Sequence, residues 1–330
     1  MNKKKVILTT MAIFVIGLIA AAPSDASEKV RLTWTSGGTG GGWFVMAAGM
    51  AKIIEEKAPH IQITVVPGGG TTNQPVVGTK KAEMGWALPP FLVAARKGMD
   101  PYTEKFEDLM VIGGSFSDNF LHVLAAEDTG VTTIRGMIEY PKPIRVGTGK
   151  VGVSGEFTFR KMIEDYYRTN YDEIKKKGGK IFQTGYTEIA TNLKDRHIDF
   201  ACLNIAPPAA IVQEAALGRK LRILPWPEDL MKLMQKNYGF GIGVIKKEMY
   251  SGILAEDVPT AVMGTVIMVH KSIEPKVVYE ITKIVCEIKD RLPSIHKSME
   301  VFDPATAWKD MPGPLHPGAM QYYKEKGYMK

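Results

Sequence analysis

Apolar residues in this chain alternate between two spacings, and the breaks between them fall at glycines. Val30, Leu32 and Trp34 recur at every second position, as a half-buried strand requires. The segment Ser36-Gly37-Gly38-Thr39-Gly40-Gly41-Gly42 interrupts them, and Phe44, Ala47, Ala51 and Ile54 resume at helical spacing. Strand, glycine turn and helix in that order gather free backbone N–H groups at the positive end of a helix dipole, where a carboxylate or phosphate can sit. Ile61 to Val66 reads as a second strand, followed by the loop Pro67-Gly68-Gly69-Gly70-Thr71-Thr72-Asn73 and a short helix. Glu83 to Leu88 makes a strand that runs into Pro89-Pro90, and Met110 to Ser115 makes another.

The order then repeats. Ile144 to Gly149 is a strand entering the loop Lys150 to Gly155, and Phe159, Met162, Ile163 and Tyr166 mark one face of the next helix, with Ser154 as its N-cap. A strand at Ile181 to Gln183 and a helix from about Glu188 to Lys194 precede the strand Ile198 to Leu203, which enters Asn204-Ile205-Ala206-Pro207-Pro208. Such alternation predicts an α/β protein of two lobes, each built on a mixed, mostly parallel sheet. Ligands bind beyond the carboxyl ends of such strands, so the two loop sets should face each other across a cleft. The pattern assigns 27–120 and about 245–330 to lobe 1, and about 121–244 to lobe 2.

Enzymatic readings of the glycine loops fail on spacing. Gly38 and Gly40 begin a dinucleotide fingerprint whose last glycine is replaced by Trp43. Gly149-Lys150 has Ile144 and Val151 where a phosphate loop needs glycine and a hydroxyl residue, and Gly152-Val153-Ser154-Gly155 ends in Glu156 where a nucleophile elbow needs glycine. Six scattered histidines form no metal or catalytic motif, and Cys202 and Cys286 match no metal spacing and read as buried free thiols. Neither a metal nor a cofactor is expected.

Composition adds an address. Lys3, Lys4 and Lys5 precede an apolar run from Val6 to Ala22, and Ser24 and Ala26 fit a signal-peptidase site with cleavage after Ala26. The mature chain is therefore expected in the periplasm as a monomer. The formal charge of +7 for the full 330 residues is spread along the sequence, and the densest cluster, Lys175-Lys176-Lys177, is a solvated helix end and no nucleic-acid footprint.

These residues together resemble the TAXI-type solute-binding proteins of tripartite ATP-independent periplasmic (TRAP) transporters, over essentially the whole mature chain. The resemblance is carried by Gly38-Thr39-Gly40-Gly41-Gly42-Trp43-Phe44, the second glycine loop with Asn73, Lys194-Asp195-Arg196-His197-Ile198-Asp199, Glu256-Asp257-Val258-Pro259-Thr260 and Pro314-Leu315-His316-Pro317-Gly318-Ala319. It implies a type II-like two-lobed fold and a small organic anion as ligand: an amino acid, a 2-oxoacid or a dicarboxylate. It also implies a membrane permease as partner. Carried over by position, Thr39, Gly40, Gly41, Trp43, Phe44 and Asn73 touch the ligand from lobe 1, with Trp86 and Leu88 on the strand beside them. Val153, Ser154, Gly155, Glu156, Asn204, Ala206 and Pro207 do so from lobe 2. Leu88-Pro89-Pro90 and Arg196 depart from the family pattern, the first of them in the cleft. Trp43 and Trp86 would give the pocket apolar walls. Glu156 reads equally as a contact for an ammonium or hydroxyl group and as a first-turn acid that complements the helix dipole. Two other functions share the scaffold, a sensor for a membrane kinase and an enzyme; the enzyme would need a catalytic set that does not converge here.

Overall fold

The computed structural model describes residues 29–330, so the leader expected over residues 1–26 lies outside the described residues. β1 (Val30–Thr35) buries Leu32, Trp34 and Thr35 and delivers the chain to the first glycine loop. α1 (Gly42–Lys57) follows and buries Met46, Ala47, Met50, Ala51, Ile53 and Ile54 against the sheet. β2 (Ile61–Val66), α2 (Asn73–Gly78), β3 (Met84–Ala87), α3 (Pro89–Lys97) and β4 (Leu109–Gly113) complete this run. β5 (Asp118–Ala126), α4 (Ile134–Ile138) and β6 (Arg145–Gly147) open the second, with α5 (Ser154–Asp165), α6 (Tyr171–Lys176), β7 (Lys180–Phe182), α7 (Tyr186–Lys194) and β8 (Phe200–Ile205) after them. Then come α8 (Ala210–Gly218), β9 (Leu221–Ile223), α9 (Glu228–Tyr238), β10 (Gly241–Ile245), β11 (Val258–Gly264) and β12 (Val266–His270). α10 (Pro275–Glu287), α11 (Leu292–Ile295) and α12 (Pro317–Glu325) close the chain.

The two halves share one topology. The first sheet runs β2-β1-β3-β12-β4, and the second runs β7-β6-β8-β5-β11-β10 with β9 also paired to β5. In each, a parallel trio (β2-β1-β3, β7-β6-β8) is flanked by a strand of opposite direction: β12 in the first sheet, β5 in the second. β3 and β8 bury every residue, as strands covered by helices on both faces do.

The chain crosses between sheets twice, from β4 to β5 through residues 114–117 and from β11 to β12 at Thr265. By sheet membership the return to lobe 1 falls at Thr265 and not near residue 245. The hairpin of β10 and β11 extends the second sheet, with β11 paired to β5 from Phe120 to Asp118. Thr265 ties the crossings together. Its Oγ1 accepts from Asn119 Nδ2 at 2.7 Å and Trp43 Nε1 at 3.2 Å, and it shares a proton with Ser117 Oγ at 2.8 Å. Both lone pairs and the hydroxyl proton are then used.

The sequence marks that do not reach the cleft serve this frame. Asp199, at the start of β8, takes a bidentate pair of bonds from Arg145 at 2.8 Å and one from the buried Arg219 at 3.0 Å; Arg219 in turn holds Asp128. His316 caps α12 by accepting from Gly318 N, and a Cβ on Gly318 would stand 2.1 Å from the Pro275 carbonyl oxygen, so α10 and α12 pack only with glycine there. Cys202 and Cys286 are buried and free, and burial raises both thiol pKa values, that of Cys286 to about 12.

His122 lies wholly buried on β5. Its Nδ1–H donates to the Phe120 carbonyl at 2.8 Å, which leaves Nε2 to accept from the Tyr250 hydroxyl at 2.9 Å. Tyr250 Oη accepts from Ala209 N, just after the Pro207-Pro208 pair, so this relay fixes the end of that loop. Burial lowers the His122 pKa from 6.5 to about 4. Between those values the unfolded chain takes up a proton that the folded one refuses. Stability from this site is therefore complete above pH 6.5 and is lost as pH falls toward 4, by about 3 kcal/mol in all. Urea unfolding at a series of pH values from 7 to 4 should show this decline, and His122→Asn should flatten it.

Candidate functional site

The carboxyl ends of β1 and β3 and the first turns of α1 and α2 converge on one side of the cleft. Gly40 turns the first loop at φ +81°, a conformation that favours glycine. Gly41 caps α1 without a side-chain hydrogen bond. Among the described residues, the amides of Thr39, Gly40, Gly42 and Trp43 donate to no protein acceptor. Four free N–H groups at the start of a sixteen-residue helix form a seat for a negative group. Thr39 and Gly40 are exposed; Gly41, Trp43 and Phe44 are half-buried.

Opposite stand the loop before α5 and the start of α7. Gly40 points at Thr187, whose Oγ1 would lie 2.6 Å from a Cβ at position 40. The second glycine loop makes direct contact across the cleft: Thr71 donates from N at 3.2 Å and from Oγ1 at 2.7 Å to the Gly152 carbonyl. A Cβ on Gly69 would meet that carbonyl oxygen at 2.7 Å, and one on Gly70 would meet Ser154 Cβ at 2.8 Å. These two glycines let the lobes shut on each other. Gly152 itself turns at φ +93°.

Lobe 2 contributes polar groups of a different kind. Val153 is the N-cap of α5, and it makes no side-chain cap bond; Ser154, expected as the cap, instead accepts from Asn204 Nδ2 at 2.9 Å. Asn204 is buried, and its Oδ1 has no donor; neither has Oε1 of Gln74, buried in lobe 1 behind Gly70. Gly155 lies beneath the Tyr186 hydroxyl, which accepts from Asn204 N at 3.3 Å. Ala206 and Pro207 are buried beside them. Glu156 is held by partners within lobe 2. It is buried, accepts from Tyr171 at 3.0 Å and Gln183 at 3.5 Å, and pairs with Arg160 at 3.4 Å.

Three lobe 1 residues expected at the ligand belong to the frame. Asn73 is fully buried and every polar atom of its carboxamide is engaged. Oδ1 accepts from Thr35 Oγ1 and Gly69 N, both at 2.9 Å, while Nδ2 donates to the carbonyls of Ser36 at 2.8 Å and Trp86 at 2.9 Å. Trp86 lies on a strand buried on both faces, packs on Trp34 and Phe116, and spends its indole N–H on the Trp43 carbonyl. Leu88 is buried under Gly70. Trp43 is the partly open indole of this cluster. Tyr186, Thr187, Thr71 and Thr265 went unmarked in the sequence, although the alternating spacing places Thr71 in a glycine loop.

Two open hollows lie apart from the glycine loops. One of about 740 Å³ is bounded by Arg96, Lys97, Asp108 and Lys271, and one of about 310 Å³ lies beside Pro89, Asp118 and Thr265. The first has no contact with the seat at α1, and its charges of both signs pair at the surface, as Lys271 does with Asp108 at 2.8 Å.

Two α/β lobes joined by two crossings, with loops facing over a cleft, define the fold of periplasmic solute-binding proteins. Periplasmic binding protein BugD shares it, with a TM-score of 0.55 at 13% identity over 92% of this chain and 94% of that one. The chain belongs to the NMT1-like family, whose model matches residues 35–327. The alkanesulfonate-binding protein SsuA from Xanthomonas axonopodis pv. citri aligns more loosely, with a TM-score of 0.47 at 13% identity over 91% of this chain and 85% of that one.

The geometry assigns Asn73 to stability. Asn73→Ala removes the partner of several buried backbone groups and should destabilise the fold by about 3 kcal/mol. Urea unfolding measures this directly, and affinity in the residual folded protein should change much less.

Proposed function

We propose that this chain is an extracytoplasmic solute receptor that holds a small carboxylate between its lobes and delivers it to a TRAP-type membrane permease. The observation that carries the reading is the set of free amides at Thr39, Gly40, Gly42 and Trp43, aimed at a cleft that the Thr71–Gly152 contact closes. A carboxylate there takes charge-assisted bonds from neutral donors and the helix dipole. The unpartnered oxygens of Asn204 and Gln74 call for a hydroxyl or ammonium elsewhere on the solute. The family and the fold support a binding role, and the sequence marks favour a TRAP permease as partner. Closure then gives the permease a surface that exists only when solute is bound.

A panel of carboxylates should contain one that binds at one site per chain and is recovered unchanged. At 100 times its dissociation constant it should add about 2.7 kcal/mol to stability. Calorimetry and mass spectrometry of the recovered solute check both points, and steady product formation would reject the reading. Gly69→Ala should weaken binding about tenfold, because its methyl group meets Gly152 only in the closed form. The melting temperature without solute should stay near wild type. Trp43 fluorescence follows closure in the same titration.

A further inference from the structure

Both lobes start a long helix at the cleft, and in lobe 2 a side-chain hydroxyl stands against the first turn of that helix. At α5, a twelve-residue helix, the place of an anion is taken by the protein's own phenol. Tyr186 Oη accepts from Asn204 N at 3.3 Å, with the Gly155 amide turned to the same oxygen. A Cβ on Gly155 would stand 2.6 Å from that oxygen and 3.0 Å from the Cys202 carbonyl oxygen, so only glycine leaves room for it. The tyrosine is pinned: its Cε1 would lie 2.7 Å from a Cβ at Gly149. Burial raises its pKa, which keeps the hydroxyl neutral.

What surrounds the filled seat also disfavours negative charge. Asn204 is 8% exposed, its Nδ2 holds Ser154 at the first position of α5, and its Oδ1 stands without a donor. That oxygen attracts a hydroxyl or ammonium and repels a carboxylate.

We propose that Tyr186 is a specificity-determining residue: its hydroxyl fills the anion seat of lobe 2, so the cleft selects solutes with one carboxylate over those with two. This rests on the reading of the cleft as a carboxylate site. Lobe 1 then binds the single carboxylate and lobe 2 the neutral or cationic remainder.

The test compares matched mono- and dicarboxylates of three to six carbons, such as pentanoate and glutarate, by calorimetry on wild type and Tyr186→Phe. The variant keeps the ring against Gly149 and frees the Gly155 and Asn204 amides. Wild type should prefer the monocarboxylate of each pair. Tyr186→Phe should raise dicarboxylate affinity at least about tenfold and leave the monocarboxylate within about threefold. An unchanged ratio in the variant, or an equal loss for both members of each pair, overturns the role given to Tyr186 while leaving the carboxylate reading intact. Wild-type protein that binds no member of the panel overturns the carboxylate reading itself, and this inference with it.

Discussion

Where strands stop at a cleft, their last carbonyls lose ladder partners, and loops must cover them without closing the site. In lobe 1 one carboxamide solves this. Asn73 joins the ends of β1 and β3 to the second glycine loop through Thr35, Ser36, Trp86 and Gly69. With these groups satisfied, the glycine loops hold a fixed shape although they carry almost no side chains. The free amides of the first loop point outward because the polar groups behind them are already paired.

Charge is divided between the two ends of lobe 2. Arg145, Arg219, Asp128 and Asp199 form a network at the start of β6 and β8, away from the glycine loops. The groups along the facing loops are neutral: backbone amides, threonine hydroxyls and amide oxygens. Neutral donors hold an anion well only where water is excluded, so binding strength depends on closure more than on any one contact. Thr265 links the two, since the indole of Trp43 above the first loop reaches the residue on which the crossings turn.

The repeated order of strand, glycine loop and helix was legible because glycine punctuation and spacing act locally. Asn73 was misplaced for a reason the sequence cannot resolve. An asparagine after three glycines reads as a loop tip, and its burial depends on β3 arriving beside it. Trp86 sits in a short run that reads as cleft-bound; only the packed fold shows it wholly buried, against Trp34 and Phe116. Tyr186 resembles an ordinary core tyrosine at the head of an amphipathic helix. Its role appears when Gly155 and Asn204, 31 and 18 residues away in the chain, meet its hydroxyl. The hairpin of β10 and β11 shifted the lobe boundary because nothing local says which sheet a short strand joins.

The double crossing also dictates an order of assembly. Lobe 2 is one continuous stretch of chain, so its sheet can form as soon as β11 is made. Lobe 1 cannot: β12, the strand between β3 and β4, is synthesised after all of lobe 2. Its amino-terminal portion must wait with β3 and β4 unjoined, held back by the large loop that has to close first. A chain built this way completes its first sheet last, when β12 arrives to join β3 and β4.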